Sequence, residues 1–281
     1  MTANPLAPAA RIASRRSRRT PPVARRAPTR TVDRALTVLS LFTPAEPELS
    51  SAAIAARLGL HQTTAYRLLS TMEAGGYVER DERTGLYRLG LRVVELAGLK
   101  LNQMDLYRHA LPELDALRDT LNLNANLAVL DHGDVCHLAY AVRPDVPRYY
   151  TMLGRRSVAH CTALGKVLLA AQPREVVHAE IEARGWRPYT ERSIRDFATL
   201  DRVLDEVAAR GYAVDEGERS PTTRCVAAPV RDRTGTVVAA ISCSGRPEHF
   251  EALGLDRVIG AVVEHASRIS SKLGYLESWR G

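Results

Sequence analysis

The segment 50–76 constrains this chain more than any other. Ser50 stands where a side chain caps a helix start, Ala, Ile and Leu recur at helical spacing through residue 58, and Gly59 follows where a left-handed residue closes a helix. After Leu60 and His61, residues 62–74 (QTTAYRLLSTMEA) turn Ala65, Leu68, Leu69 and Met72 to one side. Gln62, Thr63, Tyr66, Arg67 and Ser70 are left toward solvent, and Gly75-Gly76 stops the helix. Upstream, residues 31–43 align Val32, Ala35, Leu36, Leu39 and Phe42 on one helical face, ended by Pro44 and Pro47. Downstream, YVERDERTGLYRLG reads as two short strands around a Thr84-Gly85 turn.

Helix, short helix, glycine-containing turn, helix and hairpin together predict a winged helix-turn-helix over 31–89. A helix held by one apolar stripe can lay its polar side in the major groove of double-stranded DNA, which is about as wide as a helix. Here that side combines Gln62, Tyr66 and Ser70 with the small hydroxyls of Thr63 and Thr64, which permit close approach, and the forked donor of Arg67. Arg80, Arg83 and Arg88 on the hairpin are placed for phosphate or minor-groove contact. A winged helix used only for protein contact is the competing reading, kept open by the seven basic and seven acidic residues of 31–92.

Charge elsewhere is uneven. The net +7 resides in residues 1–30, which hold eight arginines and no acid among Pro and Ala, without hydrophobic period. This composition predicts a disordered basic tail, either a phosphate-neutralising arm or a plain solvated extension. At 281 residues, the chain suits two domains plus that tail, and 45% apolar with 25% charged residues excludes wholesale disorder. The longest uncharged apolar stretch, Val237 to Cys243, is far short of the ~20 residues of a membrane span. The N-terminus has no apolar core of a secretory signal. Cys136, Cys161, Cys225 and Cys243 form no CxxC pair, so a cytoplasmic setting is expected.

Residues 90–103 predict a linker helix whose apolar content (Leu91, Val94, Leu99, Leu101) suits packing against a second subunit, and hence a dimer reading a near-palindromic site. Beyond it, 104–281 reads as α+β with an antiparallel sheet. Helices are expected at 106–121 (started or kinked at Pro112), 160–171, 174–184, 199–210 and 254–273. Strands are expected at 124–131, 134–142, around Arg148 to Met152, and at 212–216, 224–231 and 236–244. No dinucleotide fingerprint or phosphate-binding glycine loop is present. Cys225, Cys161 with His160, and Cys136 with His137 invite a nucleophilic enzyme, but cysteines in apolar runs behave as small hydrophobes. His137, His160, Cys161 and Cys225 lack zinc spacing. Neither a metal nor another cofactor is expected.

Several long motifs, in order, resemble the IclR family of bacterial transcriptional regulators over about 31–276. In the first half they are TVDRALTVL, AAIAARLGLHQTTAYRLLSTMEAGGYVERD and YRLGLRVVELA. In the second they are LGRRSVAHCTALGKVLLA, RGYAVDEGE, CVAAPVRDRTGTVVAAISCSG and ISSKLGY. The resemblance implies a winged helix, a linker helix and a GAF-like effector domain, with dimers that pair into tetramers. It implies control, by repression or activation, of a nearby catabolic operon. Carried over motif by motif, it places an effector pocket at Ala163, Leu164, Asp215, Cys225, Ser242 and Ser244. Thr222-Thr223 depart from the family's more apolar, glycine-containing stretch.

The residues' own chemistry fits that pocket. Ser242 and Ser244 are two apart on an expected strand and share a face. Burying two hydroxyls is costly unless they are paired, with neighbouring backbone or water, or with a ligand carboxylate that accepts from both. Backbone N–H groups at the start of helix 160–171 could add anion-binding partners. Asp215 would repel a carboxylate and suits a hydroxyl, an amide or a protonated group. A small carboxylate or ureide is the expected effector, with an aromatic acid in competition if Tyr149 and Tyr150 line the pocket.

Overall fold

The computed structural model describes residues 29–145 and 153–276. The basic tail up to Pro28, the strand expected near 148–152, and Tyr149 and Tyr150 lie outside them. Contacts divide the chain into two compact units between Leu96 and Ala97.

The first unit is built from α1 (Arg30–Leu41), α2 (Ser51–Leu58), α3 (Gln62–Ala74), β1 (Val78–Arg80) and β2 (Tyr87–Leu89). The Ser50 hydroxyl accepts from the Ala53 N–H at 3.1 Å, and Gly59 closes α2 at φ +61°, a conformation that costs other residues about 1–2 kcal/mol. Val38, Leu49, Ile54, Leu69, Met72, Val78 and Tyr87 form the core. The α1 stripe differs from expectation. Its inner face runs through Ala35, Val38, Leu39 and Phe42, with Val38 fully buried, whereas Val32 and Leu36 are 56% and 61% exposed. The spacing 35, 38, 39, 42 is the helical i, i+3, i+4, i+7 series, and the two exposed residues sit beside it. Leu49 exchanges both backbone hydrogen bonds with Tyr87 at 2.8 and 2.9 Å, adding a bridge to the hairpin.

Helix α4 (Leu91–Asn102) has no buried residue, and Leu91, Val94 and Leu99 are 73%, 66% and 59% exposed.

The second unit is a six-stranded antiparallel sheet in the order β5-β4-β3-β8-β7-β6. Its strands are β3 (Asn124–Asp131), β4 (Asp134–Ala141), β5 (Arg156–Val158), β6 (Ala213–Asp215), β7 (Arg224–Arg231) and β8 (Val237–Gly245). Alternation gives it two faces. On one, Ala125, Leu127, Val226 and Ile241 pack with α5 (Asp105–Leu121) and α10 (Leu255–Lys272). On the other, Ala128, Ala227 and Ala240 pack with α6 (Ala163–Ala170), α7 (Arg174–Arg184) and α8 (Phe197–Arg210).

Three local readings are corrected. Helix α5 begins at Asp105 and continues through Pro112, which therefore does not start it. The helix expected at 160–171 is a 3-10 turn at Ala159–Cys161 followed by α6 from Ala163. The break falls at Thr162, whose hydroxyl accepts from the Gly165 N–H at 3.1 Å and so resets the helix start. Helix α9 (Pro247–Leu253) was not expected. Pro247 at its first turn and Gly254 after its end are its signals, and Phe250 anchors it fully buried.

Candidate DNA-reading surface and effector cleft

Helix α3 is held by Ala65, Leu69 and Met72, all buried. Every residue assigned to its outer side (Gln62, Thr63, Thr64, Tyr66, Arg67 and Ser70) is exposed. His61 precedes the helix, and its Nδ1 accepts from the Thr63 N–H at 3.4 Å. Among the described residues, Arg67 forms no ion pair, so its guanidinium stands available to an external anion. On the hairpin, Asp81 organises the turn by accepting from the Arg83 and Thr84 N–H groups at 2.9 and 2.7 Å, which leaves the Arg83 side chain exposed at the tip. Arg80 and Arg88 are also exposed but occupied. Arg80 donates to the Gly85 carbonyl at 3.4 Å, and Arg88 spans to Glu79 at 2.5 Å and to Glu48 at 3.7 Å.

In the second unit a cleft of about 850 Å³ opens over the α6 side of the sheet. Leu164, Asp215, Cys225, Ser242 and Ser244 line it together with Thr162. Ala163 does not. It is fully buried just behind, between two residues that do.

Sheet register explains the convergence. Cys225 pairs with Ser244 and Asp215 with Cys225, so residues from β6, β7 and β8 form one rank across the face. Ser242 pairs with Asn126, which lies in the next rank. Asn126 is one polar residue that sequence reasoning missed. It is buried, and its amide donates to the hydroxyls of Ser242 at 3.1 Å and Ser244 at 3.3 Å. Each serine oxygen thus already accepts a bond, which leaves its own O–H to donate elsewhere.

Asp215 is buried, and its Oδ1 accepts from the Gly217 and Glu218 N–H groups at 3.0 and 2.8 Å, holding the loop after β6. Burial first, then the nearby Glu218 carboxyl, raises its pKa to about 7. It is therefore less repulsive to an anion than an ordinary aspartate. Beneath it the buried Lys166 donates to the Val214 carbonyl at 2.6 Å and meets the Glu218 carboxylate.

The cleft also gathers Arg143, Arg155, Arg219 and Arg246 against two aspartates, Asp145 and Asp215. This positive balance was not legible from the chain's charge pattern, because the arginines come from separate strand ends and loops. Arg143 is spoken for by Asp145, at 2.6 and 2.9 Å, and by His249 at 3.2 Å. Thr222 and Thr223 also line the cleft, adding polarity where the motif departs from the family pattern.

Nucleophile chemistry finds no support. Burial pushes the Cys225 thiol up to about 12 and raises the Cys136 and Cys161 thiols. Burial lowers His160 and His137 to about 4. Thiols that stay protonated at neutral pH are weak nucleophiles. Among the described residues, no group of three or more His, Cys, Asp or Glu is arranged to hold a metal ion. No helix among them is long and apolar enough to cross a membrane.

Family models match both halves of the chain. Residues 31–82 match the IclR helix-turn-helix domain, and residues 99–271 match the bacterial transcriptional regulator IclR C-terminal domain. The chain is 32% identical to the HTH-type transcriptional regulator KdgR of Escherichia coli over 230 residues, 82% of this chain and 88% of that one. It is 33% identical to the glycerol operon regulatory protein of Streptomyces coelicolor over 245 residues, 86% of this chain and 96% of that one. An IclR homologue from Microbacterium hydrocarbonoxydans, solved with 4-hydroxybenzoate, superposes with a TM-score of 0.75 at 26% identity, covering 86% of this chain and 98% of its own. The chain belongs to the IclR family of bacterial transcriptional regulators: it is a DNA-binding regulator with an N-terminal helix-turn-helix domain and a C-terminal effector-binding domain, and not an enzyme.

Proposed function

We propose that the protein is a cytoplasmic repressor of a catabolic operon, released or reset by a small carboxylate or ureide. Residues 31–89 form the DNA-binding domain, 90–103 the linker helix and 104–281 the effector domain, with 1–30 a basic arm that adds non-specific affinity. Two copies pair through the unpartnered apolar side of α4, and dimers pair further into tetramers. Each dimer then presents two α3 helices to a near-palindromic operator. Gln62, Thr63, Thr64, Tyr66, Arg67 and Ser70 read the groove, while Arg80, Arg83 and Arg88 meet its flanks. The observation that carries this reading is the wholly exposed polar side of α3 above a buried apolar one.

The effector occupies the cleft. Its carboxylate accepts from Ser242 and Ser244, to whose oxygens Asn126 already donates, and from the N–H groups at the start of α6 beside Ala163 and Leu164. Asp215 and Cys225 complete that end. A structural relative holds the small carboxylate 4-hydroxybenzoate, in keeping with such a ligand. Binding shifts the dimer between two arrangements only by the effector's differential affinity for them.

The test is a mobility-shift assay on DNA upstream of the protein's own gene, at fixed salt, across a panel of small carboxylates and ureides. Wild-type protein should shift the DNA and lose or gain affinity with one panel member. The double variant Ser242→Ala, Ser244→Ala should shift it equally and ignore that member. A double variant that still responds would remove the serines from the site, and wild-type protein that ignores its own upstream DNA would remove the repressor reading.

A further inference from the structure

At the opposite end of the same cleft stand His137 and Tyr140. Three apart on a strand, two residues should point to opposite faces. They do not here, because β4 carries an extra residue. Leu127 pairs with Ala139 and Ala128 with His137, so Leu138 is left over as a bulge. A bulge re-aims a side chain. The two rings consequently stack, with centroids 5.2 Å apart and planes within 9°.

The pair is polar and incomplete. His137 Nε2 is 3.3 Å from the Ser157 hydroxyl, but its Nδ1 is buried without a hydrogen-bond partner among the described residues. The Tyr140 hydroxyl is buried and unpartnered in the same way. Native proteins pair nearly all such atoms, so two adjacent exceptions beside a cleft call for an explanation. Burial first, then the nearby charge of Arg155, holds His137 near a pKa of 4, and burial pushes Tyr140 up to about 12. Both are therefore neutral at physiological pH. A phenol can donate and accept, and a neutral ring nitrogen does one or the other according to tautomer. A ligand hydroxyl satisfies both at once. A carboxylate only accepts, so it can meet the ring nitrogen in one tautomer alone.

We infer that the effector is a hydroxy acid, with its carboxylate at Ser242 and Ser244 and a neutral hydroxyl at His137 and Tyr140. This rests on the cleft being the effector site, and it specifies the ligand's other end. Its length follows from register. Tyr140 is paired with Asn126 and Asn126 with Ser242. With strands about 4.8 Å apart, the backbones that carry the two ends stand roughly 10 Å apart across the sheet. Several atoms must separate the ligand's two groups, which excludes oxo acids of two or three carbons as full occupants.

Two matched sets of probes test this on the full chain by titration of the thermal midpoint, which rises with native-state binding. One set is benzoate, 4-hydroxybenzoate and terephthalate; the other is hexanoate, 6-hydroxyhexanoate and adipate. In at least one set the hydroxy acid should bind about 10–100-fold more tightly than its unsubstituted and two-carboxylate counterparts, the factor expected from pairing a buried polar group. Tyr140→Phe should erase that preference, leave the unsubstituted acid's affinity unchanged, and not lower the unliganded midpoint, because the deleted hydroxyl has no partner. Equal binding of the hydroxy and unsubstituted acids, preference for the diacid, or a preference surviving Tyr140→Phe would overturn the inference while leaving the cleft as effector site. Binding by no probe, or binding unaffected by Ser242→Ala with Ser244→Ala, would overturn the reading of the cleft and this inference with it.

Discussion

On α3 the groups proposed to read DNA come from nine consecutive positions, Gln62 to Ser70, and all of them face water. The cleft is assembled otherwise. Asn126 and Ser244, which share a hydrogen bond there, are 118 residues apart along the chain, and Ser242 is fully buried. A surface of the first kind needs only one well-packed helix and loses little if a side chain on it changes. A cleft of the second kind depends on strand register, on a bulge and on close backbone approach, so a small disturbance far from the ligand is felt throughout. The two regions should accordingly respond differently to the same chemical insult.

Glycine-to-alanine substitution gives the largest contrast. A Cβ on Gly165 would lie 2.1 Å from the Ala159 carbonyl oxygen and 2.3 Å from its Cα, where α6 turns back on the 3-10 turn. Neither neighbour is a movable side-chain tip, so Gly165→Ala should cost about 3 kcal/mol or more and disturb the helix start that flanks the cleft. Gly59, between α2 and α3, has open space around its would-be Cβ and only its φ of +61° to defend. Gly59→Ala should cost about 1–2 kcal/mol. Denaturant titration of both variants measures the difference; equal costs would break the contrast.

This contrast also decides what could be read without coordinates. The helical period of 62–74 exposes its own inner and outer faces, so the α3 surface was legible in full. So were β3 at 124–131, β7 at 224–231 and α7 at 174–184, whose limits the alternation and the turn residues mark. Pairing partners across a sheet leave no such trace in a single sequence. Asn126 looks like any strand residue until β8 is set beside β3, and the shared face of His137 and Tyr140 requires a bulge that strict alternation denies. The α1 stripe failed for a related reason. Val32 and Leu36 fit a helical face as well as Val38 does, and only packing shows which is covered.

Acidity separates the regions next. Among the groups proposed on α3 none is an acid, whereas Asp215 at the cleft is buried, with its pKa raised from 3.8 to about 7 first by desolvation and then by Glu218. A carboxyl with a raised folded-state pKa binds its proton more tightly in the native protein than in the unfolded chain. Its contribution to stability is therefore full below pH 4 and is lost as pH rises through 7. Asp215→Asn removes that loss while keeping an oxygen to accept from the Gly217 and Glu218 N–H groups. Relative to wild type, the variant should gain stability progressively between about pH 4 and 7 and hold the gain above that window. Thermal unfolding at a series of pH values checks it, and a gap independent of pH would show that Asp215 does not carry a strained charge.

The smallest effects come from arginines within the exposed region itself, where one is available and another is engaged. Arg67 has no acidic partner among the described residues, so Arg67→Ala should leave unfolding unchanged. It should weaken operator binding by about 10–100-fold, the 1–3 kcal/mol typical of a base or phosphate contact. Arg88 bonds Glu79, both half-exposed, so solvent screens their ion pair and it adds little to stability. To touch DNA it must first leave that carboxylate. Arg88→Ala should thus lower operator affinity by less than Arg67→Ala, and Glu79→Gln alone should raise operator affinity by freeing the Arg88 guanidinium. Mobility shifts at two salt concentrations separate the cases, since losing a phosphate contact reduces the salt slope by about one. If Arg88→Ala proved the more damaging, the hairpin rather than α3 would dominate the contact, and the legible helix would no longer be the main reader.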